Sequence, residues 1–139
     1  MQQFTAEKLA LDPWAAEAAR TRHARYFARL AARHEEEFHG ADDRQALARM
    51  ARDTANILAA WDRAVELADP ALLEPFLESF LYFFDIGGRH RECVELTGRA
   101  IAALQAVTAG PAPVEHNRAL GRILALHAAV QFRLGAFDI

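Results

Sequence analysis

At 139 residues the chain has the size of one domain, and 53% apolar against 25% charged residues is the composition of packed helices, which excludes a disordered chain. A formal net charge of −3 supplies no global attraction for phosphate backbones, so nucleic-acid binding by this segment is not expected. Cys93 is the single cysteine, which excludes an intrachain disulfide. With no signal-peptide core and no apolar run of about 18 residues, the expected setting is cytoplasmic and away from membranes.

Asp12-Pro13 opens the first helix, because Asp accepts from free amide groups as an N-cap and Pro is tolerated at the first helical position. It runs to about Phe38 and stops at Gly40. Trp14, Ala18, His23, Phe27, Leu30, His34 and Phe38 recur at helical spacing and form the expected buried stripe. Arg22, Arg25, Arg29 and Arg33 run beside it, bracketed by Glu17 and Glu35 to Glu37, and read as a solvated face with local ion pairs.

Asp42 to Gln45 has the form of a capping box, and Leu47, Met50, Ile57, Leu58, Trp61 and Val65 carry a second helix to about Ala68. Asp69-Pro70 opens a third, rich in aromatic residues from Phe76 to Phe84. Pro75 lies one turn inside it and predicts a late start or a kink. Gly87-Gly88 breaks the chain before a fourth helix with Cys93, Val94, Leu96, Ile101 and Leu104. A linker at 109–113 follows, and a fifth helix then carries Leu120, Ile123, Leu124, His127, Val130, Phe132 and Leu134 to Gly135.

The expectation is all-α: about five main helices in antiparallel hairpins that stack, in one domain over 1–139. Its parts are a first helical pair at 12–68, a second at 69–108 and a truncated hairpin at 114–139. Because an apolar face would lack its partner near Ile139, the chain reads as a piece of a longer protein.

Candidate chemistry is sparse. His34 and His39 are five apart, where zinc binding on a helix needs four, and Glu36-x-x-His39 lacks the second such pair of a di-iron site. His23 and His127 fall on apolar stripes and read as hydrogen-bonded seam residues. Cys93, with His90 one turn away, reads as a buried thiol, and Asn56 as a polar tie between helices. No catalytic set, metal site or cofactor is expected. The aromatic run reads mainly as core; the residues expected to reach a ligand or partner groove are Trp61, Tyr82, Phe83, Arg89 and His90.

Two turns look alike, Phe84 to Glu92 around Gly88 and Phe132 to Asp138 around Gly135, each an apolar helix end, a Gly, then an aromatic-type ring. Their spacing exceeds the usual roughly 34-residue tetratricopeptide unit. The run Ala119-Leu120-Gly121 through His127 to Gly135-Ala136-Phe137-Asp138 resembles the first helix and turn of that motif. Phe4-Thr5-Ala6-Glu7-Lys8-Leu9, His23-Ala24-Arg25-Tyr26-Phe27, Asp53-Thr54-Ala55-Asn56-Ile57 with Ala60-Trp61, and Gly88-Arg89-His90-Arg91-Glu92 resemble the helical region after the ATPase module in bacterial regulators of the LuxR, MalT and AfsR type.

The resemblance implies a tetratricopeptide-like right-handed superhelix within a cytoplasmic signal-transduction ATPase. There it would act as a non-catalytic interaction or sensor segment, with an inducer-binding domain as the alternative. The implied partners are another protein or neighbouring domains of the parent, or a small-molecule effector. A homodimer would arise if exposed apolar ends pair with a second copy. The phosphate loop and the helix-turn-helix of complete family members have no counterpart in these residues.

Overall fold

A computed structural model describes residues 13–38, 43–107 and 110–137. Its elements are α1 (Pro13–Phe38), α2 (Asp43–Arg52), α3 (Thr54–Leu67), α4 (Pro70–Leu73), a 3-10 turn (Glu74–Phe76), α5 (Leu77–Ile86), α6 (His90–Ala106) and α7 (Val114–Phe137). There is no strand among the described residues.

These elements make five rods: α1, then α2 with α3, then α4 through α5, then α6 and α7. Each rod packs against the next in sequence and the next but one, with the α6–α7 and α1–α3 seams the most extensive. Short turns at 68–69 and 87–89 join the second rod to the third and the third to the fourth.

Local chemistry explains the punctuation. Asp69 Oδ1 accepts from Ala71 N at 3.0 Å with Pro70 at the first helical position, as the Asp-Pro signal predicts. Pro75 lacks the amide that an α-helix would use, and the chain takes 3-10 form there before α5 resumes. The second rod, expected to be continuous, is interrupted at Asp53. Beside the interruption, Thr54 Oγ1 donates to the Met50 and Ala51 carbonyls at 2.9 and 3.0 Å, a back-bond that bends helices.

Gly88 adopts φ +67°, the left-handed stop that Gly87-Gly88 predicts, and Arg89 N donates to Phe84 O at 2.9 Å. Gly135 does not repeat it. Its backbone is helical and α7 continues to Phe137, so the two glycine turns are unlike. Ala68 does occupy the left-handed region, at φ 47°, and its amide caps α3 on Val65 O. A Cβ strains that conformation by roughly 1 kcal/mol, partly offset by the freer unfolded chain that Gly brings. Ala68→Gly should therefore raise unfolding stability by about 0.5 kcal/mol, read from a urea midpoint.

The core is aromatic on one side and small on the other. Trp61 (0% exposed) meets Phe80 at 4.9 Å and Phe76 edge-on at 5.7 Å, and Phe84 continues the stack from Phe80 at 5.3 Å. Against them α1 presents Ala24, Ala28 and Ala31, all buried, and Ser79 Oγ donates to the Ala31 carbonyl. This corrects the expected α1 stripe. Trp14 is 86% exposed, Ala18 is exposed, and His23, Phe27 and Leu30 are half-buried, because the alanine line is what lets the phenylalanine-rich rod approach. The side chains of His34 and Phe38, and the segments around Asp12 and Gly40, lie outside the described residues.

Candidate functional site

The residues expected to line a groove do not share one. Trp61 is fully buried and donates its indole N–H to Leu96 O at 3.1 Å, which ties α3 to α6. Phe83 and Arg89 do meet: the guanidinium lies 5.5 Å from the Phe83 ring centre and 5.6 Å from that of Phe84. Arg89 also forks onto Glu92 at 2.8 and 2.6 Å, which holds that carboxyl below its usual range. Tyr82 and His90 are half-buried on either side of this turn. The nearby crevice between Met50, Ile57, Leu58, Phe80 and Phe83 has no room for a water molecule, so this region is packed rather than open.

A wider opening lies elsewhere, between α1 and α3. It is a groove of about 650 Å³ floored by Ala16, Ala19 and Ala59 and walled by Arg20, His23, Asp62, Arg63 and Glu66. Small residues on two adjoining helices leave the space; charged residues one turn away close its sides. Arg63 is the organising group. It comes off α3 between buried Ala60 and Ala64 and is only 9% exposed.

Its guanidinium donates to Glu66 at 2.9 Å, to Glu17 across the seam, and to Thr21 Oγ1 at 3.3 Å. Arg20 donates to both Glu66 carboxylate oxygens at 3.0 and 2.9 Å and to Glu17 at 3.3 Å. Four charges on two helices therefore form one ring. The hydrogen bond from Arg63 holds the Glu66 carboxyl below its usual range, and the same bond, with the one Arg63 donates to Glu17, raises Arg63 against its burial. The Arg63 Nε–H is buried without an acceptor among the described residues.

His23 Nε2 lies 3.3 Å from Asn56 Oδ1, joining α1 to α3 as the polar-tie reading of Asn56 expects. Asp62 reaches Arg99 of α6 at 3.3 Å. Each carboxylate in the groove thus holds an arginine, and the imidazole holds an amide. Sequence reasoning missed this groove. The signals were Glu17-x-x-Arg20 and Arg63-x-x-Glu66, oppositely charged pairs at three-residue spacing; that they face each other follows only from the packing.

The other candidates resolve into seams. Thr97 Oγ1 lies 2.7 Å from His127 Nδ1 and donates to Cys93 O at 2.8 Å, joining α6 to α7. Cys93 is buried, and burial pushes its thiol up to about 12, far from a thiolate at neutral pH. Among the described residues no three His, Cys, Asp or Glu converge as a metal site, and the His34–His39 run lies outside the described side chains. No described helix is long and apolar enough to cross a membrane. Compared with family models, with curated proteins and with solved structures, the chain matches none.

Proposed function

We propose that this chain is a non-catalytic interaction and regulatory segment, whose hairpins stack as a tetratricopeptide-like right-handed superhelix within a cytoplasmic bacterial signalling ATPase or transcriptional regulator of the LuxR, MalT and AfsR type. The observation that carries the reading is the packing order, each rod on the next and the next but one, since such arrays bind partners along extended surfaces. Binding would act by contact, biasing how neighbouring domains pack, with no bond made or broken.

The α1–α3 groove favours a second reading, an inducer pocket. Its volume falls within the ~300–1,000 Å³ of small-molecule sites, and its two arginines, His23 and the spare Arg63 Nε–H suit a ligand carrying hydrogen-bond acceptors. Thermal unfolding of the chain with sugars, nucleotides and metabolites, alongside its solution mass, separates the two. A ligand at 100 times its dissociation constant adds about 2.7 kcal/mol. The interaction reading expects no such shift. A reproducible shift that Ala59→Phe abolishes by filling the groove floor would replace it with the pocket.

A further inference from the structure

A line of exposed arginines runs along the outer side of α1. Arg22, Arg25, Arg29 and Arg33 are exposed, and none has an acidic partner among the described residues, whereas Arg20, Arg63, Arg89, Arg99, Arg118 and Arg122 are all engaged by carboxylates. Of the carboxylates that bracket this face, Glu17 bonds Arg20 and Arg63 instead, and the side chains of Glu35 to Glu37 lie outside the described residues. The four fall on one side of the helix, opposite the buried line of Ala24, Ala28 and Ala31. Like charges at three- and four-residue spacing weaken a helix, so the stripe has a cost that a binding partner would offset.

Two exposed rings share the face. Trp14 is 86% exposed two turns before Arg22, and Tyr26 is 55% exposed among the arginines, held edge-on to Phe27 at 5.0 Å. Exposed Trp, Tyr and Arg together are the composition of interface anchors. From Arg22 to Arg33 the charges run straight for about 16 Å at a helical rise, a period that carboxylates on one face of another helix can match. The chain's net charge of −3 opposes a long phosphate polyanion more than a short acidic helix, which meets only this face.

We infer that the outer face of α1, from Trp14 to Arg33, docks an acidic amphipathic helix of a partner protein, its carboxylates opposite the arginines and an apolar residue on Trp14. The surface is distinct from the α1–α3 groove, which lies on the flank of the same helix.

The test uses the whole chain and a synthetic helix-stapled peptide with Glu at successive three- and four-residue spacings and a terminal Leu. Micromolar binding is expected, weakening with salt, with a blue shift of Trp14 emission that Trp14→Phe removes while buried Trp61 stays silent. A peptide of the same composition in scrambled order should bind at least tenfold more weakly. Arg25→Gln with Arg29→Gln should cost at least tenfold in binding, with a thermal midpoint at low salt equal to or above that of the parent. No binding, equal binding of the scrambled peptide, or tighter binding of a DNA duplex or of anionic vesicles each overturns the proposal.

Discussion

Trp61→Ala should cost about 3–5 kcal/mol of unfolding stability, seen as a lower urea midpoint and loss of the near-ultraviolet signal of the core. The indole is fully buried where the second, third and fourth rods meet, against Phe76 and Phe80 and bonded to the Leu96 carbonyl. Whole domains are stable by only ~5–15 kcal/mol, so this one change consumes a large share. Trp61→Phe separates packing from the hydrogen bond: it keeps a ring and loses the donor, at about 1–2 kcal/mol. A Trp61→Ala loss under about 1 kcal/mol would mean that the rods do not meet on this side chain.

Features decided by neighbours in sequence were legible before the fold was known. Asp69-Pro70, Pro75 and Gly88 each act within one turn through a cap, a missing amide or a left-handed backbone, and each appears where expected. What failed was facing. Large side chains on α1 suggest an inner side that the fold does not use: its inner line is Ala24, Ala28 and Ala31, because a rod carrying Phe76, Phe80 and Phe84 needs a thin neighbour. The Trp61 ring suits a groove as well as a core, and its volume and an available acceptor, Leu96 O, place it in the core. Gly135 looked like Gly88, but a glycine with helix on both sides stays helical, whereas Gly88 ends a helix whose following turn must reverse.

The site was hidden for the same reason. Arg63 sits among apolar positions on α3, and in one dimension it reads as a stray charge; only α1 laid alongside gives it Glu17. That burial leads to an asymmetric expectation. Glu17→Gln with Glu66→Gln should cost about 2–3 kcal/mol, because a guanidinium only 9% exposed loses both carboxylates and keeps just neutral acceptors. Arg63→Met should cost under about 1 kcal/mol, since Glu17 and Glu66 are each about half exposed, remain hydrated and keep Arg20, while the Met fills the space.

Acid separates the variants further. Glu66 is held below its usual range by the hydrogen bond from Arg63, so its share of stability is present above the unfolded carboxylate value near 4.5 and is lost as pH falls through the lower folded value. Arg63, raised from an already high value, stays charged throughout. Between pH 7 and pH 3 the parent chain should therefore lose more stability than Arg63→Met, whose Glu66 carboxyl retains only Arg20. Equal acid sensitivity in the two, or an Arg63→Met cost above that of the double glutamine variant, would show that the ring of charges does not hold α1 to α3.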